Sequence, residues 1–390
     1  MSSDVITTVA GRLSAATSML PAPLAVVDLD AFDRNADTLV GRAHRLPIRI
    51  ATKSLRSRPL IERALNRAGF EGLMCYSVRE ALWWARAGQR NLMVAYPSAD
   101  VSALADLVAD ETLTGAVTVM IDSVEHVDFL AREVAGHEGL RVAVDVDASL
   151  RVVKAHLGVR RSPTRTPAEV ETVIRRALER SLQVVGLMFY DAQIAGLPDS
   201  SIAVRRVKAW SDQDLRSRRT RIVTAARALT RLDFVNGGGT GSLEVTGRDA
   251  SLTELAAGSG LYAPTLFDGY DGLHLEPAAF FATPVVRRPA DGVVTTYGGG
   301  YVASGPPGWS RVATPVDGQG LALLKTEGTG EVQTPLRGAA ADSLSLGDRV
   351  WFRHAKAGEL AERFTEFALL SGDEVVGSAA TYRGEGQCFG

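Results

Sequence analysis

Short apolar runs alternate with amphipathic stretches across the first two-thirds of the chain. The runs 24–30 (LAVVDLD), 48–52 (IRIAT), 72–76 (GLMCY), 91–96 (NLMVAY), 116–122 (AVTVMID), 140–147 (LRVAVDVD), 182–191 (LQVVGLMFYD) and 231–238 (RLDFVNGG) predict strands, with a fainter ninth at 260–263. Helical periodicity fills the gaps. In 77–87 (SVREALWWARA), apolar residues recur at three- and four-residue spacings, and Ser77 can cap the start. In 166–180, Thr166 is placed as N-cap, Pro167 takes the first helical position and Glu169 follows the cap by three.

Near-continuous apolar strands separated by amphipathic helices suit a parallel sheet covered on its outer face. So many strands favour an α/β fold of the (β/α)8 TIM-barrel type over a doubly wound sheet. Nine strands are one too many, and periodicity leaves open which end strand belongs elsewhere. After about residue 275 the texture becomes β-rich, broken by Gly and Pro turns, with 357–367 (AGELAERFTEF) the longest helical stretch. The expected organisation is a barrel over 22–275 and a C-terminal β-rich domain over 276–390, with 24–30 free to join the second. The segment 148–165, holding four arginines and a lysine, reads as a surface or active-site loop.

Composition narrows the class. Of 390 residues 46% are hydrophobic and 23% charged, ordinary values for a globular protein. Lys and Arg number 43 against 45 Asp and Glu, a formal charge of -2. That offers no field for nucleic acid or an anionic membrane. Apolar runs of about seven residues are far short of a bilayer span. The first twenty residues lack a basic start followed by an apolar block, so no secretory leader is expected. Two cysteines, Cys75 and Cys388, cannot build a disulfide framework, which suits a reducing cytoplasm.

Catalytic groups of such barrels sit at the C-terminal ends of strands. Lys53 directly follows IRIAT. Desolvation there lowers an ammonium pKa and frees the amine as a nucleophile; a solvated loop lysine is the plainer reading. NGGGTGS (236–242) follows an apolar strand, and GSGLY (258–262) comes about twenty residues later. Their backbone N–H groups can converge on a phosphate, although each is equally readable as an ordinary left-handed turn. With 24–30 set aside, these loops follow strands 7 and 8, where barrels often hold phosphate.

Strand ends also supply Asp145, Asp147, Arg151, Tyr190, Asp191 and Gln193, each readable as a rim ion pair or a functional group. His354 and Lys356 share one face of the late strand DRVWFRHAK, and an ammonium beside a histidine is a poor metal pair. No metal site is expected, and no GxSxG elbow is present. Lysine nucleophile, phosphate cradle and barrel mouth together suit pyridoxal 5'-phosphate.

The strings LAVVDLDAFDRNADTL, Lys53 after a short strand, GLMFYDAQ, NGGGTGS, GSGLY and GDRVWFRHAK follow one another as in fold-type III pyridoxal phosphate enzymes. The chain resembles the D-threonine aldolase and D-serine dehydratase branch of the alanine racemase-like family over nearly its whole length. The resemblance implies that strand 24–30 joins the C-terminal domain, and that Lys53 is the Schiff-base lysine. Gly238, Gly239, Thr240, Gly258 and Ser259, with Tyr262 nearby, would hold the phosphate. Arg151 would approach the pyridine nitrogen, although its spacing to Gly158-Val159 is long for the branch. Tyr190 would take the aromatic position on the next strand end, and Gln193 stands where a histidine is common.

The late His-x-Cys pair that binds a divalent metal in the family reads His354-Ala355-Lys356 here. The resemblance therefore implies a lyase of D-β-hydroxy amino acids, by aldol cleavage or dehydration. His354 and Lys356 would serve as acid–base groups in place of a metal. It also implies a homodimer. An amino-acid racemase, a non-catalytic cofactor carrier and a cofactor-free phosphate-binding barrel remain the alternatives.

Overall fold

The computed structural model describes residues 8–152, 155–356 and 358–389. Residues 1–7, which begin the segment read for a leader, lie outside the described residues, as do Lys154 of the 148–165 stretch and residue 357 at the start of the expected late helix.

Strand β1 (Leu24–Asp28) precedes the barrel strands β2 (Ile48–Ala51), β3 (Phe70–Cys75), β4 (Leu92–Pro97), β5 (Val117–Ile121) and β6 (Arg141–Asp145). A hairpin of β7 (Leu150–Val152) and β8 (Ala155–Leu157) interrupts the alternation before β9 (Gln183–Phe189), β10 (Phe234–Gly237) and β11 (Glu254–Ala257). The parallel strands close in the order β10-β11-β2-β3-β4-β5-β6-β9. The eighth barrel strand is therefore Glu254–Ala257, and the expected 260–263 strand is a 3-10 turn, Ser259–Leu261. Its sequence ELAA is too short to show a β pattern; pairing with β10 and β2 makes it a strand.

Alternate positions divide between the two faces, except in β9, where a register shift puts Val185 and Met188 inside together. Ile48, Ile50, Val142, Val144 and Leu255 face the helical sheath, while Met93, Ala95, Met120, Ala143, Met188 and Phe234 form a separate cluster inside the barrel. Arg49 and Glu254 also fall on inner positions. Their bidentate pair, 2.7 Å on both arms, is 1% and 9% exposed at the side chains. The Arg49 guanidinium lies 5.3 Å from the Phe234 ring centre.

The helices start as their caps direct. Ser77 accepts from the Glu80 N–H ahead of Val78–Arg86, and Thr166 with Glu169 forms a reciprocal capping box ahead of Pro167–Glu179. The helix Ile202–Arg227 is the longest described. No described helix is long and apolar enough to cross a membrane.

The second sheet contains β12 (Ala279–Ala290), β13 (Val293–Tyr297), β14 (Thr314–Pro315), β15 (Ala322–Leu323), β16 (Gln333–Arg337), β17 (Arg349–Arg353), β18 (Glu366–Ser371) and β19 (Glu374–Ala380). Strand β1 joins it, antiparallel to β12 and parallel to β18. The expected helix at 357–367 is instead a 3-10 turn, Glu359–Glu362, followed by β18. Three apolar residues of that stretch are drawn into the β core, Phe367 among them, so tertiary pairing overrides helical periodicity.

Candidate active site

The two domains meet around Lys53. It lies in a 3-10 turn (Thr52–Ser54) that ends β2. A Cβ on Gly358 of the C-terminal domain would sit 2.5 Å from the Lys53 carbonyl, so only glycine allows the approach. Arg56 donates to the same carbonyl at 3.2 Å and pairs with Glu362 at 2.7 Å. Ser57 and the Arg56 carbonyl are tied to Ala380 and Tyr382. The lysine turn is therefore clamped by the second sheet on its outer side.

Lys53 opens into a cavity of about 380 Å³ at the C-terminal end of the barrel. Its Nζ donates to the Tyr96 hydroxyl at 2.8 Å. A register shift between Met93 and Pro97 in the β4–β5 pairing re-aims the end of β4 and brings Tyr96 into the mouth. Burial raises the Tyr96 phenol, but Lys53 and Arg161 outweigh it and hold the group below its ordinary pKa. The Arg161 guanidinium lies 5.5 Å from the Tyr96 ring centre and 5.0 Å from that of Tyr190. Behind Arg161, burial pushes the Asp145 carboxyl up to about 7.

Opposite these residues, two turns converge. Gly238, with φ +82°, takes a left-handed conformation directly after β10. A Cβ on Gly239 would lie 2.8 Å from that of Ala195, and one on Gly258 would lie 2.6 Å from the Ala51 carbonyl. The Thr240 and Ser259 hydroxyls are 3.4 Å apart, and Thr240 accepts from the Gly260 N–H at 3.2 Å. Both turns line the cavity. Two hydroxyls and room kept clear by glycines, at the ends of two neighbouring barrel strands, make a phosphate cradle. With a lysine amine in the same cavity, the donor set fits pyridoxal phosphate.

The structure brings together Lys53, Tyr190, Gly238, Gly239, Thr240, Gly258, Ser259 and Lys356 around one cavity. Three expected residues fall elsewhere. Arg151 sits on the β7–β8 hairpin with its side chain 49% exposed, bonded to Asp147 at 2.6 Å. The hairpin carries it out of the mouth, and Arg161, beyond the hairpin, supplies the guanidinium. Tyr262 is buried, its hydroxyl donating to the Leu55 carbonyl at 3.1 Å. His354, 3% exposed, lies edge-on to the Tyr262 ring and does not line the cavity. The backbone of His354 and Ala355 accepts from Thr265 and Leu266 N–H groups, both at 3.1 Å, and so fixes Lys356 at the rim.

Lys356 donates to the Ser304 carbonyl at 3.3 Å. Burial, then the neighbouring Arg311 charge, lowers its pKa. Gln193 turns away and donates to the Ala148 carbonyl at 2.7 Å, and Asp191 is buried against the Thr246 hydroxyl. No group of three or more potential metal ligands occurs among the described residues.

The alanine racemase N-terminal domain model matches residues 27–265. The chain belongs to that family. The alanine racemase-like fold extends over both domains: a D-threonine aldolase from Filomicrobium marinum superposes with a TM-score of 0.78 at 20% identity, covering 93% of this chain and 94% of that one. D-threo-3-hydroxyaspartate dehydratase from Delftia sp. HT23 gives 0.76 at 19% identity, covering 93% and 97%. By sequence, the 3-hydroxy-D-aspartate aldolase of Paracoccus denitrificans (strain Pd 1222) is 26% identical over 246 residues. That match spans 62% of this chain and 60% of the relative's length. Pyridoxal phosphate is the cofactor of this alanine racemase-like fold type.

Tyr96, Arg161 and Arg311 were not singled out by sequence reasoning. Tyr96 ends an apolar strand, the same signal that marks Lys53. Arg311, in a Gly- and Pro-rich loop far along the chain, carries no such signal.

Proposed function

We propose that this protein is a pyridoxal phosphate-dependent lyase of D-β-hydroxy amino acids. It cleaves Cα–Cβ in the manner of an aldolase, or dehydrates, without a divalent metal. The observation that carries the reading is the joining, around one cavity, of the Lys53–Tyr96 pair, the two glycine turns and Lys356.

When bound, the cofactor supplies an electron sink for the carbanion at Cα. Lys53 would hold it covalently, and the turns at 238–240 and 258–259 would hold its phosphate, with Arg161 and Tyr190 lining the same cavity. Tyr96, 2.8 Å from Lys53 and poised below its usual pKa, passes protons to and from the lysine amine. Lys356 would meet the β-hydroxyl, the place a metal serves in the resembled branch: as the amine it would take that proton for aldol cleavage, and as the ammonium it would give one to the departing hydroxide in dehydration. Its lowered pKa lets it exchange a proton with that oxygen. His354, buried against the Tyr262 ring two residues before Lys356, is a positioning residue.

A homodimer, supported by family resemblance, and a cytoplasmic location, supported by the two cysteines, are part of the same reading. The boundaries 22–275 and 276–390 stand with it, β1 being assigned to the second unit.

The test is product identity. Incubation with D-threonine and D-3-hydroxyaspartate in the presence of a chelator should yield glycine plus an aldehyde, or a 2-oxo acid plus ammonia. Appearance of only the opposite enantiomer would make the protein a racemase, and no turnover of any amino acid would make it a cofactor carrier.

A further inference from the structure

Asp191 follows β9 by two residues, is fully buried, and has no work in the reaction proposed above. Its backbone carbonyl accepts from the Ile194 and Ala195 N–H groups at 2.8 and 2.9 Å, which winds the short helix Ala192–Ala195. The glycine turn after β10 packs directly on the end of that helix. A Cβ on Gly239 would lie 2.8 Å from the Ala195 Cβ, and one on Gly241 would meet the Ala195 carbonyl oxygen.

The Asp191 side chain holds the same turn from behind. The Thr246 hydroxyl donates to Oδ2 at 2.6 Å, and the Ser242 hydroxyl lies 3.4 Å from that oxygen. Ser242 in turn accepts from the Gly239 N–H at 3.2 Å, and its carbonyl accepts from the Thr246 N–H at 2.8 Å. One carboxylate oxygen therefore ties together the turn that lines the cavity and the helix Leu243–Thr246 that follows it. Oδ1 has no hydrogen-bond partner among the described residues. A buried carboxylate so provided is costly unless a cation offsets it. Burial raises the Asp191 carboxyl, and the charge of Arg219, itself 1% exposed, is the largest of the influences that oppose the rise. Arg219 pairs with Asp249 through Nη1, while its Nε and Nη2 are buried without a partner among the described residues. Packing alone would be served as well by an apolar residue at 191.

Resting on the reading of the two glycine turns as a phosphate cradle, we infer that Asp191 is a positioning residue for the cofactor's phosphate. It does not line the cavity. It acts by fixing the Gly239–Ser242 turn in the shape that grips a phosphate, through Thr246 and Ser242, and Arg219 offsets its negative charge beneath that dianion.

The experiment titrates the full-length protein, freed of cofactor, with pyridoxal phosphate and separately with pyridoxal, which lacks the phosphate. Both are read from the visible band of the lysine-bound aldehyde, so no turnover is needed. The wild type should prefer pyridoxal phosphate. Asp191→Ala should cut that preference about tenfold, the loss expected of one hydrogen bond to a charged group, with pyridoxal affinity unchanged. Asp191→Asn, whose amide oxygen still accepts from Thr246, should restore most of it. Thr246→Val breaks the shortest of these bonds without changing the shape of the side chain, and should reproduce the loss should Asp191→Ala not fold. A preference that survives both Asp191→Ala and Thr246→Val, a fall in both affinities together, or an asparagine no better than alanine makes Asp191 a residue of the core only and leaves the cradle standing. A wild type that binds the two compounds equally ends the cradle reading, and the role of Asp191 with it.

Discussion

Lys53 on the turn after β2 and Tyr96 at the end of β4 meet across the barrel mouth, Nζ to Oη at 2.8 Å. Each explains the other's environment. The ammonium stabilises a phenolate, and a register shift in β4 is what lets the ring reach it. Tyr96→Phe should leave cofactor binding intact and lower kcat by about 10²–10⁴-fold, the usual contribution of one positioned proton-transfer group. Because the phenol sits below its ordinary pKa, the alkaline limb of the kcat profile should fall earlier than a free tyrosine would allow, and should move in the variant. An unchanged profile would assign Tyr96 to packing alone.

Lys356 is expected to make the enzyme indifferent to chelators. Lys356→Cys recreates the His-x-Cys pair of the resembled branch and should introduce activation by zinc or manganese where the wild type shows none. A wild type silenced by chelation and revived by metal contradicts the metal-free reading.

Glu80 is fully buried, accepting from Tyr76 N–H and the Tyr382 hydroxyl. Burial raises its carboxyl from 4.5 to about 7. Between these values the folded state holds a proton that the unfolded state has released, so stability falls as pH rises from 4.5 to 7. Below 4.5 both states are protonated and the penalty vanishes. Glu80→Gln should remove part of that decline, on the order of 1–3 kcal/mol. Asp145, also raised to about 7, falls in the same window, so the informative quantity is the difference between variant and wild-type Tm across it.

The Arg49–Glu254 pair inside the barrel should be costly to break. Glu254→Ala leaves the guanidinium buried and unpaired, and should destabilise by about 3–5 kcal/mol in urea unfolding. Asn236, which donates to Glu254 at 2.8 Å and also lines the cavity, links that pair to the active site. A loss under 1 kcal/mol would mean that water reaches the barrel floor.

The legibility of these features in the sequence follows their range. Lys53 and the two glycine turns were readable because strand ends and left-handed turns leave local marks. Ser77 and Thr166 announced their helices for the same reason. Strand β11 was misplaced by six residues because ELAA becomes a strand only through its neighbours. Arg151 was singled out and Arg161 missed because the β7–β8 hairpin, a local insertion, changes which arginine returns to the mouth. Arg311 reaches the cavity only through a domain contact spanning more than 250 residues of chain from Lys53, and no local pattern encodes that.

The most direct test is the absorbance spectrum of the purified protein beside Lys53→Ala, each supplied with pyridoxal phosphate and then with D-3-hydroxyaspartate. The wild type should show a visible band of lysine-bound cofactor that shifts on adding the amino acid, while the variant shows neither the band nor turnover. A wild type that stays colourless with added cofactor, or a variant that keeps the band, would contradict the assignment of Lys53 and of this cavity.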